Sequence, residues 1–156
     1  MTWPRPVRVV GVGGPAGDDA VAWEVVRRVQ REKEWASEIE FHAVEGGQGL
    51  LEILDGRGTL FLADALAPGV EAGTLWRLEW PDARLGALRP GTTHHLRPAE
   101  ALRLAAALGL LPPRVVIWAV AGECFAPQPG LSLAVAAAVP ELVRRIVAEL
   151  EDDFVK

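Results

Sequence analysis

Three acidic or glycine-rich segments and a histidine pair hold the residues with usable chemistry. Gly11-Val12-Gly13-Gly14-Pro15-Ala16-Gly17-Asp18-Asp19 ends in adjacent carboxylates. Glu45-Gly46-Gly47-Gln48-Gly49 pairs an acid with glycines, Asp64 follows the apolar run Thr59-Leu60-Phe61-Leu62-Ala63, and Thr92-Thr93 precede His94 and His95. Two carboxylates and an imidazole brought together from separate loops would suit a divalent ion or acid–base work on a water molecule. Asp18 or Asp19 would supply the first carboxylate, Asp64 the second and His94 the imidazole. One acid of the pair would be expected to cap the helix that follows.

Other chemistries are poorly provisioned. The chain has 156 residues, with a single cysteine, Cys124, and three histidines, His42, His94 and His95. A disulfide framework and multi-cysteine metal sites within one chain are therefore excluded. The only serines are Ser37 and Ser132, neither in a G-x-S-x-G elbow, and there is no tyrosine. With 16 basic against 21 acidic side chains the net charge is −5, and Arg27, Arg28 and Arg31 are interspersed with Glu24, Glu32 and Glu34. That balance disfavours nucleic acid or an anionic membrane as partner. Without a signal-like leader or a membrane-length apolar run, the reading is a soluble, cytoplasmic protein forming one domain over 1–156.

The elements that must position these residues follow from hydrophobic period. Val7–Val12 reads as a strand buried on both faces. Val21, Val25 and Val29 recur at helical spacing within a helix expected over 18–31. Ile39, Phe41 and Ala43 alternate with Glu40 and His42 as a second strand, and the glycines at 46 to 49 lead into a helix carrying Leu50, Leu51, Ile53 and Leu54. A third strand over 59–63 stops at Asp64. Thr74–Trp80 alternates again after too short a connection for a crossover helix, so it is expected as an antiparallel edge strand. A helix over 98–108, a buried strand over 114–120 with Cys124 just past it, and a helical C-terminus complete the order. Pro140 is expected to open the long final helical segment. The order β-α-β-α-β-β-α-β-α predicts a three-layer α/β/α sandwich around five mostly parallel strands with one antiparallel edge strand.

In such sheets, sites lie beyond the carboxyl ends of the parallel strands, which selects the loops ending in Asp19, Glu45 and Asp64. The seventeen residues from Pro81 to Arg97 reach over about 50 Å, against about 23 Å for the edge strand, long enough to return His94 to the same rim. The first loop also fits G-x-G-x-x-A, the signature of a nucleotide site, but Asp18 and Asp19 stand where a pyrophosphate would bind and would repel it.

Taken together, these segments resemble the hydrogenase maturation proteases, endopeptidases that trim the C-terminal tail of the large-subunit precursor of nickel–iron hydrogenases. Gly11–Gly14 with Asp18-Asp19 is similar to the family's G-x-G-N loop and its acid pair. Glu45-Gly46-Gly47-Gln48-Gly49 is similar to its D-G-G-T-x-G, Ala63-Asp64-Ala65 to its A-D-A, and Thr92-Thr93-His94 to its S-x-H. The departures are Gly14 for asparagine, Glu45 for aspartate and Gln48 for threonine. The resemblance implies that Asp19, Asp64 and His94 contact the nickel already installed in the substrate, and that Asp19 or Asp64 assists attack by water. Gly11, Gly13, Asp18, Glu45, Gly46, Gly47 and His95 would support the site. It further implies no cofactor of the protein's own, and the hydrogenase large-subunit precursor as partner. A nucleotide-binding domain and a non-catalytic maturation chaperone of the same family are the competing readings.

Overall fold

The computed structural model describes residues 3–66, 70–82, 96–123 and 130–154. Five strands, β1 (Val7–Gly13), β2 (Ile39–Glu45), β3 (Thr59–Leu66), β4 (Leu75–Glu79) and β5 (Arg114–Ala121), form one sheet in the order β2-β1-β3-β5-β4. All neighbours are parallel except β4 and β5, so β4 is the expected antiparallel edge strand.

Among the described residues four helices cover the sheet: α1 (Val21–Arg31), α2 (Gly46–Ile53), α3 (Pro98–Ala107) and α4 (Leu133–Phe154). Helices α1 and α4 pack on one face and α2 and α3 on the other. Side-chain alternation in the strands sorts the core accordingly. Val7, Val9, Phe61 and Val116 face α1 and α4, whereas Val10, Val12, Leu60, Leu62 and Ile117 face α2 and α3. Strands β1 and β3 are buried along their whole length, as their continuous apolar sequence requires.

The α1 stripe of Val21, Val25, Val26 and Val29 is buried, while Glu24 pairs with Arg27 and Arg28 on the solvent side. Its start differs from the expectation. Gly17–Ala20 forms a 3₁₀ turn, and neither it nor α1 has a side-chain cap, so the acid pair does not serve as an N-cap.

Three further boundaries move. Helix α2 begins at Gly46, so the glycines belong to its first turn instead of leading into it. Strand β3 runs on to Leu66, because Asp64, Ala65 and Leu66 continue pairing with Ala119, Val120 and Ala121 of β5. Pro140 lies inside α4 and does not open a new helix. An interior proline costs about 3 kcal/mol. Val135 and Val139 before it, with Leu142, Val143, Ile146 and Leu150 after it, bury one continuous stripe that outweighs this loss.

Candidate active site at the carboxyl rim

The site is built from strand ends. Register pairs Gly13 of β1 with Glu45 of β2, and Gly11 of β1 with Ala63 of β3. The last residues of β1 and β2 and the Asp64 stretch of β3 therefore share one rim. The 3₁₀ turn bearing Asp18 and Asp19 also approaches β3, with Cα atoms within 8 Å.

Asp64 is 6% exposed. Its Oδ1 accepts a hydrogen bond from the Ala65 N–H at 2.8 Å. Strand alternation turns it towards α3, where Leu62, Leu66, Leu102 and Ile117, with Arg97, Pro98 and Ala99, line a cavity of about 30 Å³ beside it. That space admits a water molecule. A carboxylate in so apolar a wall attracts a cation far more strongly than one in bulk water.

The acid pair divides its labour. Asp18 is fully buried. Its Oδ1 accepts the Ser132 N–H at 2.7 Å, and its Oδ2 accepts the Glu123 N–H at 2.7 Å and the Ser132 hydroxyl at 2.8 Å. It thereby ties the turn after β1 to the segments after β5 and before α4. Asp19 is half-buried, and its Oδ2 lies against Gly14, 2.9 Å from where a Cβ would stand. The Asp19 carbonyl accepts the Gly14 N–H at 3.2 Å and its own N–H donates to Ala16 at 3.0 Å. The backbone thus holds the turn, leaving the Asp19 side chain at the loop's inner edge.

Close packing explains the glycines of the first loop. A Cβ on Gly11 would stand 2.5 Å from the Ala22 carbonyl, and one on Gly13 would collide with the Asp19 carbonyl. The G-x-G pattern thus serves the approach of the 3₁₀ turn and α1 to β1, without a phosphate.

The second loop meets the residues that lead into α3. Gly46 has a φ of 63°, the left-handed region, as the chain turns from strand into helix. The Gly47 N–H donates to the Leu96 carbonyl at 2.8 Å, and a Cβ there would stand 2.6 Å from both the Leu96 and Arg97 carbonyls. Glu45 is exposed at the end of β2, and Trp23 of α1 donates its indole N–H to the adjacent Val44 carbonyl at 2.9 Å.

His94 and His95 lie outside the described residues, as does Cys124. The residues next in sequence, Leu96 and Arg97, are placed at the α2 N-terminus and beside Asp64 respectively. Among the described residues, no three His, Cys, Asp or Glu side chains form a metal-binding group.

Arg97 is the residue that the sequence reading missed. It precedes α3 and donates from Nε to Glu100 at 2.6 Å, and this hydrogen bond holds the Glu100 carboxyl below its ordinary range. The signal was available, since Arg97 stands immediately before the first-turn proline, Pro98, three residues after His94.

A mixed, mostly parallel sheet with acids gathered where its central strands end defines an α/β enzyme-like scaffold. The chain belongs to the hydrogenase maturation protease family, a family of endopeptidases, whose HycI pattern matches residues 23–149. The match begins downstream of Asp18 and Asp19. No curated protein sequence matches the chain. Among solved structures, the hydrogenase maturating endopeptidase HybD from E. coli is similar at a TM-score of 0.80 and 24% identity, covering 97% of this chain and 93% of that one. The [NiFe] hydrogenase maturation protease HybD from Thermococcus kodakarensis follows at 0.69 and 19%, covering 96% and 99%. HycI from Thermococcus kodakarensis KOD1 gives 0.68 and 14%, covering 94% of each. At these identities the structural likeness speaks for the fold, and the family rests on the sequence pattern. Among the described residues no helix is long and apolar enough to cross a membrane.

Proposed function

We propose that this chain is the cytoplasmic endopeptidase that removes the C-terminal extension of a nickel–iron hydrogenase large-subunit precursor after nickel insertion. Asp64 carries the reading: an acid 6% exposed at the carboxyl end of a central strand, facing a water-sized cavity that Arg97 also lines. The family assignment supplies the reaction class. Asp19, from the turn that approaches β3, and His94, three residues before Arg97, complete the set that contacts the substrate's nickel.

In this reading the nickel belongs to the substrate, and its contact with the three side chains places the scissile peptide beside the carboxylates. A carboxylate takes a proton from water as the water oxygen bonds to the peptide carbonyl carbon. The carbon–nitrogen bond then breaks, and the proton passes to the leaving amine. No serine or cysteine nucleophile is required, which agrees with their scarcity.

The test is incubation with a nickel-loaded precursor, read by mass spectrometry. Tail removal by the wild-type chain and its loss in Asp64→Asn are expected; a precursor left intact by the wild type overturns the proposal. A stable complex without tail removal would instead identify a maturation chaperone, and saturable nucleotide binding by calorimetry would point to the third reading.

A further inference from the structure

Peptide hydrolysis by carboxylate-activated water creates two charges to manage. The base takes up a proton, and the carbonyl oxygen becomes an oxyanion as the water oxygen bonds to its carbon. Asp64 suits the first task, whereas the oxyanion needs a donor or a cation of its own.

The cavity beside Asp64 offers one. Leu62, Leu66, Leu102 and Ile117 give it aliphatic sides, and among the described residues that line it only Asp64 and Arg97 carry charge. Its volume of about 30 Å³ is the room of one water molecule. Groups bordering so small a space face each other across about two hydrogen-bond lengths. The low polarity of the other walls strengthens what either charge does to an atom placed between them.

Arg97 stands there against local preference. It is the N-cap of α3, a position that favours serine, threonine, asparagine or aspartate, and a cation at the positive end of a helix is unfavourable. Its place is nonetheless fixed. The Arg97 carbonyl accepts the Ala101 N–H at 2.9 Å, and the Leu96 carbonyl accepts the Gly47 N–H at 2.8 Å. Glu100 folds the side chain back, because its Oε1 accepts both the Arg97 N–H at 3.3 Å and Nε at 2.6 Å. That grip uses the nitrogen nearest the backbone, whereas the two terminal nitrogens carry four of a guanidinium's five donors.

We infer, on the basis of the proposed function, that the Arg97 guanidinium is the electrophilic partner of Asp64, binding the scissile carbonyl oxygen and stabilising the oxyanion formed on it. Water between the two gives a proton to the Asp64 carboxylate as its oxygen bonds to the carbonyl carbon. The electron pair of the carbonyl π bond moves onto the oxygen facing Arg97. Collapse returns that pair and breaks the carbon–nitrogen bond, and the proton passes from Asp64 to the leaving amine. Arg97 keeps its own protons throughout. The substrate's nickel places the peptide, and the guanidinium acts most strongly on the charge that develops only in the transition state.

The experiment measures kcat and KM for tail removal from nickel-loaded precursor by wild type, Arg97→Ala, Arg97→Met, Arg97→Lys and Arg103→Ala, with binding followed by interferometry. Arg103, exposed on the same helix, is the charge control. Arg97→Ala and Arg97→Met should lower kcat by about 100-fold with KM, binding and melting temperature unchanged. Arg97→Lys should regain part of the rate, since the charge returns without the planar fork. Guanidinium ion, far below denaturing concentration, should speed Arg97→Ala and leave wild type unaffected. Full or increased kcat in Arg97→Ala, a loss confined to KM, or an equal loss in Arg103→Ala would overturn the role, while tail removal by wild type keeps the protease assignment standing. A loss relieved by neither lysine nor guanidinium would mark Arg97 as structural and overturn it too. A precursor left intact by wild type overturns both.

Discussion

The two rims of the sheet treat their acids in opposite ways. At the amino rim, Arg8 lies buried in β1 and grips Asp55 through two guanidinium hydrogen bonds, at 2.7 and 3.0 Å, and Glu40 at 3.2 Å. At the same rim, three strands away, Glu79 accepts from Arg114 at 2.8 Å. At the carboxyl rim, peptide N–H groups and a hydroxyl hold Asp18, and a peptide N–H holds Asp64. A guanidinium cancels a carboxylate's charge, while a peptide dipole fixes the group and leaves it anionic. At the amino end acids meet guanidinium groups from distant elements, whereas at the carboxyl end peptide N–H groups fix Asp18 and Asp64, with Arg97 lining the same cavity as Asp64.

Breaking the carboxyl rim should have the largest effects. Asp64→Asn removes the charge at the cavity and should lower the rate of tail removal by more than about 100-fold with little change in melting temperature. Asp18→Ala deletes a buried acceptor of three hydrogen bonds, from the Glu123 N–H and the Ser132 N–H and hydroxyl. It should lower unfolding stability by about 3 kcal/mol in urea titrations and cut activity as well, because Asp19 loses its anchor. Activity kept at full wild-type level in Asp18→Ala would show that Asp19 is placed independently.

Breaking the amino rim should affect stability alone. Asp55→Asn should lower stability by about 2 kcal/mol at neutral pH and leave cleavage unchanged. The comparison also has a pH signature. The hydrogen bond from Arg8 holds the Asp55 carboxyl well below its ordinary value of 3.8. A carboxyl lowered in the folded state contributes stability that is complete above the unfolded value and lost as pH falls through the folded one. Wild type should therefore lose its advantage over Asp55→Asn progressively below about pH 4, measured as the difference in urea midpoint. The smallest effect belongs to neither rim. Glu141 on α4 is held at about 2 by Arg144 and Arg145 on an exposed face, and Glu141→Gln should leave the melting temperature unchanged within error.

How much of this could be read beforehand depended on how local the cause was. The three buried strands were legible, at 7–12, 59–63 and 114–120, because β-branched runs report burial on both faces, although their carboxyl ends lie one to three residues further on. The antiparallel edge strand was legible because its connection is short. The place of Asp64 near the carboxyl end of a central strand was legible from the apolar run before it. Hidden features were decided by distant residues. Asp18 looked like a cap, but its partners, Glu123 and Ser132, lie 105 and 114 positions away. Pro140 looked like a helix start because local chemistry favours that, and only the packed stripe along α4 overrides it. Arg8, a charged residue in an apolar run, gave no hint of Asp55, 47 positions on.

The Asp18 bridge also bears on when the protein becomes competent. Synthesis delivers β1, β2, β3 and their helices first, and these could pair while the remainder of the chain is still being made. Donors that the Asp18 carboxylate meets, on Glu123 and Ser132, emerge only after β5, which completes the sheet between β3 and β4. Contacts of such sequence separation form late because loop closure must precede them. Completion of the turn that carries Asp18 and Asp19 is thereby tied to the synthesis of nearly the whole chain.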